Sequence, residues 1–527
     1  MASNSSSTWT PRANPWLIAF VVSLAAFMEV LDTSIANVAL PHIAGNMGAS
    51  SDESTWVLTS YLVSNAIVLP ITGWLVSLVG RKRFFLLCIV LFTVSSLLCG
   101  IAPTLPFLLL ARVIQGAGGG GLQPMAQAIL ADTFPPAKRG LAFSVYGVTA
   151  VVAPSIGPTL GGWITDNYTW RWIFLMNLPV GILALFLVLT FVEDPPFLRR
   201  TTLKESKIDY FGFGLLAVGV AFLQIVLDKG QEDDWFGSNF ILTLSIISAI
   251  CLVSLVVWEL HVKEPILDVG LFKNFNFATS SVLMFMVGAA SFSTTVLMPQ
   301  YLQSLMGYTA QKAGMVLSAA AILLLIELPL VGRLTGKFQA RSLMAFGWGM
   351  LTIAMFFSTR QIDLEISFTS ATWLRIAQYV PMGFIFIPAT MVAYLGLPQE
   401  KSNAVSGLIN FMRNMGSSVG TSMVTTMLAR RAQVHQVMLA NHTGLSSPWF
   451  QNSTRLLADQ LQRTGGGPQA QMMAYGKMYQ TMQTQASTLA YVDTFWILGI
   501  AAGIMFLLCF SLRKNNPGKS DTQVLAH

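Results

Sequence analysis

The chain reads as an all-α polytopic membrane protein of fourteen transmembrane helices: two six-helix halves with an inserted pair between them. Three observations carry that reading. Charged residues are only 10% of the 527, and hydrophobic ones 54%, whereas a soluble domain is about 25% charged. Apolar segments long enough to cross a hydrocarbon core, about 20 residues each, recur along the sequence. Short motifs also repeat at a nearly constant offset.

The spans fall near 16–40, 54–79, 84–102, 106–131, 140–164, 170–192, 209–228, 239–260, 277–303, 313–335, 341–359, 371–396, 403–429 and 489–512. Short loops on one side hold Arg81, Lys82 and Arg83, Lys138 and Arg139, and Arg199, Arg200, Lys204 and Lys207. By the positive-inside rule that side is cytoplasmic, which places both termini there. The net charge of +7 and pI near 9.2 therefore report topology. No basic stripe suggests a nucleic-acid partner. The polar start, MASNSSSTWTPRANP, lacks a small-residue cleavage site after the first apolar run, so a cleaved signal peptide is not expected. Cys88, Cys99, Cys251 and Cys509 lie in or beside apolar segments and read as small hydrophobes rather than metal ligands.

LPITGWL (69–75) and LPLVGRL (328–334) share a pattern, and each precedes a basic loop. Arg112-x-x-Gln115 and Arg375-x-x-Gln378 repeat at a similar distance. These copies fall on the second and fourth helices of each half. The predicted organisation is a tail (1–15), a first half (16–192), an inserted pair with its loops (193–276), a second half (277–512) with a long outer loop (430–488), and a tail (513–527). Parallel six-helix repeats with a site at their interface point to a transporter.

Charges inside spans cost about 2.5–3.5 kcal/mol each on insertion scales, so they mark candidate sites. In FMEVLDTSIANVALP (27–41), Glu29 and Asp32 stand one helical turn apart and share a face. They suit proton carriage, because a carboxylate meeting different surroundings in turn binds and releases a proton. A place in an aqueous vestibule, or a structural partnership with a buried arginine, is the alternative. Arg112 in LLLARVIQGAGGGGLQP is such a cation, with Asp32 its expected partner. Gly116 and the glycines at 118–121 permit close helix approach. They do not form a phosphate cradle, since no GxxxxGK[ST] pattern follows. APSIGPTLGG (153–162), with Pro154, Gly157, Pro158, Gly161 and Gly162, predicts a hinge or a tight interhelical contact.

Glu327 is a third acid within a span. It either pairs with Arg375 or Arg413 or serves protons or a cationic substrate. Asn37, Gln115, Gln123, Gln127, Tyr146 and Gln378 could line a central cavity or hydrogen-bond between helices. In the outer loop, STRLLADQLQ suggests an amphipathic helix and GGGP (465–468) a break. His42, His261, His435 and His442 are read as loop residues, and no HExxH or GxSxG suggests an enzyme. No cofactor or metal is expected.

At these residues the chain resembles the fourteen-span drug:proton antiporters of the major facilitator superfamily, and among them the EmrB type. LDTSIANVALP is similar to the first-helix motif, and GWLVSLVGRKR, with Gly73, Gly80 and Arg81, to the loop motif between helices 2 and 3. Leu108, Arg112, Gln115 and Gly116 match the fourth-helix motif, and GPTLGG the antiporter motif of helix 5. TWVLTSYLV, PPAKR and NFMRNMGSSVGTS also resemble EmrB-type segments. The resemblance implies multidrug efflux across the bacterial inner membrane, driven by the proton motive force. It implies that Asp32 is a coupling or substrate-interacting acid modulated by Arg112. It also implies an EmrA-type periplasmic adaptor and a TolC-type outer-membrane channel as partners. Ser77 departs from the loop motif, where many members carry an acid, so a gating ion pair built on that acid is not expected. A narrow natural substrate, such as a fatty acid or siderophore, is the competing expectation. A membrane sensor or scaffold without flux is the reading from another class.

Overall fold

The computed structural model describes residues 11–196, 209–262, 265–442, 447–463 and 469–512. Both tails beyond these limits, the basic run Arg199, Arg200, Lys204 and Lys207, and the GGGP segment lie outside the described residues. The first helices are α1 (Pro15–Met47), α2 (Ser51–Val79), α3 (Arg81–Gly100) and α4 (Leu105–Thr133). The fifth span is α5 (Pro136–Gly147), a π-helical turn at Val148–Val152 and α6 (Ala153–Asn167). A short α7 (Trp172–Leu175) leads into α8 (Asn177–Phe191).

Then come α9 (Tyr210–Lys229), α10 (Asn239–His261), α11 (Phe275–Ser304), α12 (Ala310–Leu334) and α13 (Ala340–Gln361). The twelfth span divides at Pro381 into α14 (Phe368–Tyr379) and α15 (Pro381–Ala393). Last are α16 (Ser402–His442), α17 (Pro448–Leu461) and α18 (Ala470–Leu508).

Among the described residues, thirteen helical segments are long and apolar enough to cross a membrane. The α16 helix falls short of that apolarity because it packs among α2, α4, α11 and α18 and carries Asn403, Asn410, Arg413 and Asn414 toward protein rather than lipid. An interior helix needs no continuous apolar face. It also runs past the expected span end at 429 to His442, and α18 begins at Ala470 rather than near 489. Most of the expected outer loop is thus helix. His435 lies on α16 and binds Asp493 of α18 (2.8 Å), with Arg431 3.6 Å from the same carboxylate. His42, His261 and His442 likewise belong to helices α1, α10 and α16. The amphipathic run lies in α17, which packs on α18 with Phe450 and Tyr475 6.1 Å apart.

Two seams join the halves. Helix α2 packs on α16, and Gly73 lies so close to it that a Cβ would stand 2.8 Å from Ala404 Cα. The fifth span packs on α12, where the hydroxyls of Thr159 and Ser318 meet at 2.9 Å. The α9–α10 pair flanks the first seam. Gln224 accepts from Ser418 (3.0 Å), Trp235 donates to Thr426 (3.1 Å), and Lys229 binds Asp52 and Glu232.

Local chemistry explains the close contacts. Pro158 has no N–H, which frees the Pro154 carbonyl to accept from Ser34 of α1 at 2.9 Å. A Cβ on Gly157 would lie 2.3 Å from Ser34 Oγ, so only glycine allows that approach. Gly161 packs on Ile35 and Gly162 faces Val38 at the same crossing. Gly116 sits against the Tyr61 carbonyl, where a Cβ would be 2.3 Å from the oxygen.

Candidate functional site

Asp32 and Arg112 form a fully buried ion pair, Oδ2 to Nη1 at 2.7 Å. Helix α4 aims Arg112 at α1 because the neighbouring glycines let α4 approach α2 and α3 closely. The rest of the cluster satisfies the carboxylate and most of the guanidinium. Asp32 Oδ1 accepts from Asn177 of α8 (2.6 Å) and from Gln115 (3.1 Å). Arg112 also donates to Gln115 Oε1 (2.8 Å) and to the Val57 carbonyl (3.0 Å), and lies 4.3 Å from the Tyr61 ring centroid. Charge-assisted bonds of this kind are the strong ones, and they offset part of the desolvation cost of burying two charges.

Glu29 is also buried but turns to a separate donor set: Gln123 (2.6 Å), Tyr61 (2.9 Å) and Asn65 (3.2 Å). From there a polar chain crosses to the second half. Arg413 of α16 donates to Gln123 Oε1, and Tyr146 OH lies 3.0 Å from the same oxygen and 3.3 Å from Asn410 Oδ1. Asn410 donates to Gln127 at 2.7 Å. Asn414 donates to Asn65 at 3.1 Å. One hydrogen-bonded system therefore joins Glu29 to both halves.

Of the two readings open for Glu327, the ion pair with Arg375 or Arg413 does not form among the described residues. Arg413 is turned across the seam to Gln123, over Phe386 (5.7 Å), and Arg375 points to α11, where it donates to Thr295 (2.9 Å) above the Tyr379 ring. Glu327 is 8% exposed and lies against Gly383, and neither carboxylate oxygen has a hydrogen-bond partner among the described residues. Gln378 donates to Ser358 at 2.9 Å. Asn37 is exposed on α1, apart from these clusters, because it lies on a different face from Asp32.

At the end of the bundle where α2 turns into α3, Gly80 has φ of 91° and starts α3, which turns Arg81 inward. Arg81 pairs with Asp132 (2.6 Å) and donates to Asn403 (3.1 Å), while Ser402 donates to Asp132 (2.9 Å). Among the described residues, Ser77 donates within its own helix, to the Trp74 carbonyl at 2.7 Å. Sequence reasoning missed Asp132, Asn177, Tyr61 and Asn65. The first could have been sought as an acid for the loop arginine; the neutral three gave no separate signal. No group of three or more His, Cys, Asp or Glu capable of holding a metal occurs among the described residues.

A multi-pass helical bundle whose buried polar groups meet at the seam of two repeated halves is the architecture of a secondary transporter. The chain belongs to the Major Facilitator Superfamily, whose sequence profile matches residues 22–421. It is 36% identical over 492 residues to the multidrug export protein EmrB of Escherichia coli K12, covering 93% of each chain. It is 39% identical over 442 residues to the probable multidrug resistance protein EmrY of the same organism, covering 84% of this chain and 86% of that one. With the fatty acid resistance protein FarB of Neisseria gonorrhoeae it shares 39% identity over 424 residues, covering 80% and 82%. The solved structure of the proton:xylose symporter XylE superposes with a TM-score of 0.61 at 13% identity, covering 97% of this chain and 99% of that one. That last likeness is of fold alone.

Proposed function

We propose that the chain exports hydrophobic or amphipathic toxic compounds across the bacterial inner membrane in exchange for protons. The single observation that carries this reading is the buried Asp32–Arg112 pair, with every oxygen of the carboxylate held by donors. Protonating Asp32 removes its charge and weakens the charge-assisted bonds to Arg112. The arginine is then left short of a counter-charge, a state that favours rearrangement of the helices it touches. Glu29, tied through Gln123 to Arg413, is the second proton-carrying acid in this scheme and links protonation to the seam between halves. Alternating access follows by rocking one half against the other. The glycine contacts of the fifth span provide the close surface, and its π turn the bend.

The export proteins at 36–39% identity support the substrate class. Pairing with an EmrA-type adaptor and a TolC-type channel extends the same likeness, and the helical outer segment of α16, α17 and α18 offers a surface for it. The narrower reading, a fatty acid substrate, draws support from the FarB likeness. The deciding experiment is flux in proteoliposomes. Efflux should stop when the pH gradient and potential are both collapsed; flux that continues unchanged would exclude antiport. Co-purification with a single-span periplasmic adaptor separates the tripartite pump from a solitary one.

A further inference from the structure

Arg375 is fully buried and incompletely satisfied. Its Nη2 donates to Thr295 Oγ1 at 2.9 Å, but Nε and Nη1 meet no acceptor among the described residues. The Tyr379 ring centroid lies 4.0 Å away. A guanidinium stays charged in proteins, and a buried charge without a counter-ion is costly. A ring face offsets only part of that cost.

The internal repeat identifies what is missing. Asp32, Arg112 and Gln115 recur 263 positions later as Thr295, Arg375 and Gln378. The geometry recurs as well, since Thr295 receives Arg375 as Asp32 receives Arg112. Thr295, however, donates its own proton to the Ser291 carbonyl (2.7 Å) and offers Arg375 a lone pair without a charge. Gln378 Oε1 is also without a partner among the described residues. Glu327 lies beside Gly383, about two helical turns beyond Arg375, and does not supply the missing charge.

We propose that Arg375, flanked by Thr295 and Gln378, binds the anionic headgroup of an exported amphiphile, a monocarboxylate standing where the first half carries its own carboxylate. This rests on the export reading for its transport role, though binding itself does not. Arg375 is closed off in this conformation, and the headgroup reaches it as the halves alternate.

The test uses the full chain in lipid nanodiscs with two probes, 1-pyrenebutyrate and the neutral 1-pyrenebutanol, read by energy transfer from tryptophan. Wild type should prefer the acid. Arg375→Gln should lower the acid-over-alcohol affinity ratio about tenfold, and Arg375→Lys should keep part of it. Thr295→Asp retains the arginine but supplies an internal carboxylate, and should lower the ratio to a similar degree. Thr295→Asp decides the matter if Arg375→Gln does not fold. Equal loss for both probes, an unchanged ratio in Thr295→Asp, or no preference for the acid in wild type would overturn the proposal. A protein that binds the acid through Arg375 yet moves nothing against protons would refute the export reading and leave this one standing.

Discussion

The two halves hold the same arginine in different ways. Arg112 binds a carboxylate, an amide and a backbone carbonyl, and through Asp32 it ties α1, α4 and α8 together. Arg375 binds one hydroxyl and rests on one ring. Corresponding helix positions of the two halves thus share a cation, with an acid as partner in one and a threonine in the other. The difference leaves the cation neutralised by a carboxylate in one half and, among the described residues, without one in the other.

The largest break in that comparison is Asp32→Asn. It should reduce proton-driven efflux at least a hundredfold in energised proteoliposomes, since the amide has no carboxylate to protonate; flux within tenfold of wild type would remove Asp32 from the coupling step. Next is the pair Arg112→Gln and Arg375→Gln. The first strands a buried carboxylate and should cost about 3–5 kcal/mol. The second strands nothing and should cost about 1 kcal/mol or less, read as a much smaller fall in melting temperature. Equal falls would mean that Arg375 is as firmly compensated as Arg112.

Gly157→Ala tests whether the first half needs its close α1 contact. Its Cβ would overlap Ser34 Oγ, so a loss of about 1–3 kcal/mol is expected, and Gly157→Ala with Ser34→Gly should recover much of it. Ser402→Ala removes a single hydrogen bond to the Asp132 carboxylate and should cost about 2 kcal/mol. Its clearer signature is faster labelling of a cysteine placed beside Arg81.

The spans were legible because a bilayer demands apolar length, and Asp32 with Arg112 because charges inside such runs are few. Tyr61, Asn65 and Asn177 were not, since a neutral polar residue in a span is ordinary and only three-dimensional packing shows which acid it serves. Asp132 escaped notice at the end of its span, where a charge is cheap. For Glu327 the sequence leaves an arginine partner and a role with protons or a cationic substrate both open, because the direction in which each side chain leaves its helix decides the partner. The helical extensions of α16 and α18 lie in polar sequence that no hydropathy window detects. The repeat of Arg112 and Gln115 was visible in the sequence, whereas Thr295 as the counterpart of Asp32 was not, because a threonine in a span draws no attention.

The Arg81 cluster has a kinetic consequence. Its ion pair with Asp132 lies wholly within α3 and α4, and the polar contacts it makes across the seam go to the neutral groups of Asn403 and Ser402. Each such bond, with one charged partner, is worth about 2 kcal/mol. Within this cluster the halves can therefore part without separating opposite charges. That keeps the opening barrier low enough for the microsecond-to-millisecond motions of domain gating, so the turnover rate need not be limited by this latch.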